Sequence, residues 1–148
     1  MGRWCVLDAC SAQRSGALIS WKDSRGLRGK MSYDIRLVDA EGNTALLKEK
    51  HEFKGGRYAL GGTIEAEFNV TYNYAPHFYR VLGDKGVRTI YGMTAADSIP
   101  ILEKAANLLG RDEDEDYWKP TQGNARRALL TLAAIAKMAP AESKWEGD

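Results

Sequence analysis

Thiols and imidazoles are scarce in this chain, with two cysteines and two histidines among 148 residues. Cys5 and Cys10 both fall in the first ten residues. Their CxxxxC spacing fits no zinc or redox motif and has no second half elsewhere. A disulfide framework is excluded as the organising device, which suits a reducing compartment. His51 stands beside Glu52, but a metal site needs a cluster of ligands, and no GxSxG elbow offers an activated serine. Long apolar runs are missing as well. "WCVLDAC" is broken by Asp8 and is too short for a signal-peptide core or a membrane span. "NVT" at 69–71 matches the glycosylation sequon, but without an export signal it reads as a chance match. The expectation is a cytosolic protein with no membrane partner.

Charge of one sign is also lacking, since 21 Lys and Arg face 20 Asp and Glu for a net charge of +1. The balance is uneven along the chain. Residues 1–30 carry six basic side chains against Asp8 and Asp23, whereas residues 31–148 hold fifteen basic and eighteen acidic ones. A mildly acidic domain behind a basic arm has no electrostatic footprint for duplex nucleic acid. The arm shows neither helical nor strand periodicity, so residues 1–30 read as a flexible appendage or an upstream extension of the reading frame. Residues 31–148 then form a single domain starting at Met31.

What is present is a strand-rich first half and a helical second half. "YDIRLVD" alternates Tyr33, Ile35 and Leu37 with Asp34 and Arg36, the pattern of a half-buried strand. "AEGN" signals a turn and "TALLKE" a returning strand, together a candidate hairpin. "KGGRYALGG" reads as a short strand or loop between glycine corners. In "TIEAEFNV", Ile64, Ala66, Phe68 and Val70 face one way, and Thr63, Glu65, Glu67 and Asn69 the other. Pro76 and Gly83 bracket a short helix, and "GVRTIYG" reads as a short strand or connector. "TAAD" at 94–97 has the form of a capping box. The helix it opens carries Ile99, Leu102, Ala106 and Leu109 as an apolar stripe, with Pro100 predicting a later start or a kink. After the acidic loop "GRDEDED", Thr121 opens the longest helix, lined by Ala125, Ala128, Leu129, Leu132, Ala133 and Ala136. The tail is expected to pack through Trp145 alone. These elements predict an α+β fold: a small antiparallel sheet from the N-terminal half, with about three helices from the C-terminal half packed on one face.

Two stretches carry ligand-binding chemistry. Asn69, Tyr72, Asn73, Tyr74 and His77 gather amide and aromatic hydrogen-bonding groups at one corner, where tyrosine offers apolar area with a polar tip. Trp118, Lys119, Thr121, Asn124 and Arg127 surround a helix N-terminus, where free amides and the macrodipole favour an anion beside a stacking ring. Each stretch has a plainer reading. The first is corner packing; in the second, Thr121 is an N-cap, Trp118 pins the loop and Arg127 is solvated. Glu65 and Glu67 form a same-face carboxylate pair, which can serve acid/base work or simply keep a sheet face wet. "DEDED" lacks the spacing of a calcium loop, and "GGRYALGG" is no phosphate cradle because no helix follows it. No metal, cofactor or catalytic group is expected.

The segments "NVTYNYAPHFY", "GMTAADSIPILEKA", "DEDYWKPTQGNARRALLTLAAIAKM" and "WEGD" together resemble a family of small bacteriophage and prophage proteins. Its marks are N-[IV]-T-Y-N-Y, IP-x-LE and YW-x-x-T-x-GNA, and the resemblance covers residues 31–148. It carries no activity over. It implies a phage accessory setting, in which small proteins bind host factors or sequester signalling molecules. The leading expectation is a non-enzymatic binding protein for a nucleotide-like ligand or a host protein. One alternative is a small enzyme on a phosphorylated or glycosidic substrate, with His77 or Glu67 as acid/base and Arg127 as charge stabiliser. The other is a virion or assembly component that uses the polar strand face as its interface.

Overall fold

The strand alternation at the start of the domain sets the centre of the sheet. In the computed structural model, which describes residues 32–148, β1 (Ser32–Val38) buries Tyr33, Ile35 and Leu37. The basic stretch 1–30, with both cysteines, lies outside the described residues. β1 is the middle strand of an antiparallel three-stranded sheet ordered β4-β1-β5, where β4 is Glu67–Thr71 and β5 is Lys144–Gly147. Tyr33 lies opposite Val70, Ile35 opposite Phe68 and Leu37 opposite Trp145. β2 (Leu46–His51) and β3 (Thr63–Glu65) make a separate antiparallel pair.

Three expectations are corrected and one is narrowed. The hairpin of β1 with the following strand survives only as a turn, closed by Asp39 N–H to Asn43 C=O and one bridge between Val38 and Thr44. β2 then diverges to pair with β3. The predicted continuous strand 63–70 breaks at Ala66, whose N–H goes to Ala45 C=O and whose C=O accepts from Leu37 N–H. This is why Ile64 is exposed while Ala66, Phe68 and Val70 are buried. "GVRTI", read as a short strand or connector, forms a 3₁₀ turn, Gly86–Ile90. The C-terminal tail does more than insert one ring. It supplies β5, with Trp145 buried and its Nε1–H donated to Ser98 Oγ at 2.7 Å.

The helices follow the sequence more closely. α1 (Ala75–Leu82) begins after a 3₁₀ turn at Tyr72–Tyr74, has Pro76 in its first turn and ends at Gly83. α2 (Ala95–Asn107) starts at full length despite Pro100. Its first amides have partners: Thr94 Oγ accepts from Asp97 N–H, and the carbonyls of Ser143 and Ala141 accept from Ala95 and Ala96. α3 (Gln122–Met138) starts at Thr121, whose hydroxyl accepts the Asn124 N–H at 3.0 Å. The expected alanine and leucine face of α3 is wholly buried, and α3 packs along α2 and reaches β2 and β4. One apolar cluster joins these helices to the sheet, so the fold is α+β. Among the described residues no helix is long and apolar enough to cross a membrane.

Candidate ligand-binding cleft

The two sequence stretches meet, and they meet by consuming each other's polar groups. Asn73 Nδ2 donates to the Trp118 carbonyl at 2.8 Å, and His77 Nε2 lies 2.7 Å from the Pro120 carbonyl. The buried Tyr74 hydroxyl donates to the Tyr117 carbonyl. Burial pushes the Tyr74 phenol above its ordinary value, so it stays a donor. Three side chains of one short segment thus clasp three carbonyls of residues 117–120.

The other side of that loop is fastened by the helix it precedes. Asn124 is buried, accepts from Asp114 N–H at 3.0 Å and donates to the Asp116 and Lys119 carbonyls at 3.1 and 3.0 Å. Asp112 Oδ1 accepts from Gly123 N–H at 3.3 Å. Gly123 is required there: a Cβ would stand 2.5 Å from Glu113 N and 2.6 Å from Asp112 C. The acidic stretch is therefore a strap laid over the start of α3, and it supplies the anions itself. Lys119 pairs with Asp114 at 3.4 Å and Arg127 with Glu113 at 3.0 Å. The Asp116 N–H bonded to Asp114, together with Lys119, lowers the Asp114 carboxyl below its usual range. At the helix start offered as an anion site, the Asn124 and Gly123 amides go to Thr121 and Asp112, in line with the plainer reading of Thr121 as an N-cap.

The strap also closes the outer edge of β4. Tyr117 hydroxyl accepts from Thr71 N–H at 3.0 Å and donates to the Asn69 carbonyl at 3.2 Å. Gly56 N–H reaches the same carbonyl at 3.1 Å. Gly56 lies so close that a Cβ would meet Asn69 Oδ1 at 2.2 Å and the Trp118 ring at 3.2 Å. Between this glycine loop and the strap opens a cleft of about 740 Å³. Its working groups are Lys54, Tyr58, Trp118, Arg127 and Thr131, with Glu52 and Glu115 also on the wall. Trp118 is 48% and Tyr58 50% exposed. Trp118 stands edge-on to Tyr117 at 5.0 Å and 85°, which fixes its plane, and Lys54 Nζ sits 5.4 Å from the Tyr58 ring. Aromatic faces, two cations and backbone without side chains can together stack a planar group and receive an anion.

A second hollow, about 600 Å³, lies over the polar residues of the sheet and includes Asp34, Arg36, Glu65, Glu67, Asn69 and Glu146. Its charges are largely paired: Arg57 with Asp34 at 2.5 Å, and Arg36 with Glu146 at 2.6 Å. Asn69 Nδ2 adds a bond to Asp34 at 2.7 Å. Tyr72 belongs to neither cavity. It stacks edge-on with Tyr33 at 4.4 Å and touches Arg88, which grips Asp148 through two nitrogens at 2.8 and 3.1 Å.

Of the ten sequence candidates, Trp118 and Arg127 line the Trp118 cleft. Asn73, Tyr74, His77, Thr121 and Asn124 position the strap, Asn69 supports the glycine loop, Lys119 is tied to Asp114 and Tyr72 packs elsewhere. Lys54, Gly56, Tyr58, Tyr117 and Thr131 were missed. "KGGRY" reads as turn chemistry in sequence, and only the pairing of Gly56 with Asn69 brings it to the tryptophan. Among the described residues no group of three or more metal-ligating side chains is assembled. Compared with known proteins, the chain matches no family model, no curated protein and no solved structure.

Proposed function

We propose that this protein is a non-enzymatic binding protein whose cleft takes a planar, anion-bearing molecule of the nucleotide kind. The observation that carries the reading is the placement of two half-exposed rings, Trp118 and Tyr58, in one cleft with Arg127 and Lys54. The residues considered for acid/base work do not join them. Glu67 lines the other hollow, and His77 lines neither cavity while its Nε2 is engaged by Pro120. The resemblance to phage proteins supplies the setting for this proposal: a small protein that captures a signalling nucleotide or a host factor in the host cytosol.

Titration calorimetry of the full chain with a panel of purine and pyrimidine nucleotides tests the reading. Binding is expected to weaken about tenfold or more in Trp118→Ala, the scale of one lost base–aromatic stack. Nucleotide binding that is indifferent to Trp118→Ala would remove the cleft from the function. If no nucleotide binds, the small-molecule reading falls and leaves a host protein as the partner to seek.

A further inference from the structure

Arg127, the cation on the strap side of the cleft, is already paired with a carboxylate of the protein itself. The sequence offers three cationic or dipolar groups near the helix start, and two are committed away from the cleft. The α3 amides go to Thr121 and Asp112, and Lys119 goes to Asp114. Arg127 alone of the three lines the cleft, and Glu113 Oε1 contacts just one of its nitrogens, Nη1, at 3.0 Å. A guanidinium carries five N–H donors, so this pair leaves most of its capacity to a second acceptor.

The residues on either side of Glu113 are pinned, Asp112 through its side chain and Asp114 through its amide. Asp112 takes the Gly123 N–H, and Asp114 gives its N–H to Asn124. The strap crosses Gly123 so closely that no Cβ fits between them. Both partners of the Arg127–Glu113 pair are nevertheless almost half exposed. The carboxylate can therefore leave by changing rotamer, with no movement of the loop.

We infer that Glu113 is an internal competitor for Arg127, which makes the cleft selective for ligands carrying a phosphate dianion. A phosphomonoester brings nearly two charges and three acceptor oxygens at neutral pH, enough to displace one carboxylate held by one nitrogen. A neutral nucleoside stacks on Trp118 but leaves the Glu113 pair in place. This inference rests on the nucleotide-binding reading and adds which group admits the anion and what holds it shut.

The test compares AMP and adenosine, by calorimetry at low salt, on the natural chain, Glu113→Gln, Arg127→Gln and the double variant. Glu113→Gln is expected to tighten AMP by about three- to fivefold, the range of a half-exposed ion pair, and to leave adenosine unchanged. In the Arg127→Gln background the gain from Glu113→Gln should vanish, which separates competition at Arg127 from a general loss of negative charge. AMP binding without a gain in Glu113→Gln, or with the same gain after Arg127→Gln, overturns the competitor while the cleft reading stands. Failure of both probes to bind the natural chain overturns the reading and the competitor together.

Discussion

The Tyr117 hydroxyl stands where a neighbouring strand would present its backbone. It receives the Thr71 N–H and returns a hydrogen to the Asn69 carbonyl, the two outward groups on the free edge of β4. Burial pushes its pKa upward, which keeps the proton that the Asn69 bond needs. Tyr117→Phe keeps the ring against Tyr74 and Trp118 and removes only this exchange. The expected cost is about 1–3 kcal/mol, because a partly buried amide loses its acceptor. Urea unfolding measures it, and an unchanged midpoint would mean that water serves the edge equally well. Nothing in "DEDYW" signals this role, since a tyrosine beside a tryptophan is the ordinary mark of a packed or stacking corner.

At the scale of elements, the strap from Asp112 to Pro120 is held from both sides, by side chains 73, 74 and 77 and by Asn124. Asn124→Leu keeps the branching and heavy-atom count of the side chain but strips three strap groups of their partner. A loss of about 2 kcal/mol or more is expected. Hydrogen exchange should show the strap amides opening first while the centre of α3 stays protected. If α3 exchanges in step with the strap, the two are a single cooperative unit and the clasp is not a separate fastening. Helix starts were legible here: Thr94 and Thr121 act as the N-caps that their sequence positions announce, because capping is decided within four residues. Strand pairing was not. The break at Ala66 follows from three backbones meeting at Leu37, Ala45 and Ala66, and no window of sequence contains all three.

For the molecule as a whole, the buried Tyr33 and Tyr74 and the partly buried Tyr91 tie stability to alkaline pH. Burial raises the phenols of Tyr33, Tyr74 and Tyr91 above the ordinary value of 10.0. A group whose folded pKa is raised contributes its full stability below the unfolded pKa and loses it as pH climbs toward the folded one. For these tyrosines, stability should be level through neutral pH and fall above about pH 10. Thermal unfolding followed across alkaline pH, with tyrosinate absorbance read alongside, checks it. Ionisation of all the tyrosines near pH 10 without loss of stability would contradict their burial. Arg88 adds to the same corner, lying 4.9 Å from the Tyr33 ring centre while it grips Asp148 beyond β5.

By itself the sequence determined the α+β class, the apolar faces of β1, α2 and α3, the helix caps and the presence of two polar stretches rich in amides and aromatics. Those properties depend on residues a few positions apart, where period and capping chemistry act. The tertiary structure alone decided that most of those polar groups satisfy one another, that the acidic loop neutralises the helix start, and that "KGGRY" faces Trp118. Hydrogen bonds among residues forty or more positions apart are set by how sheet and helices dock, and each buried polar group takes whichever partner that docking brings within reach.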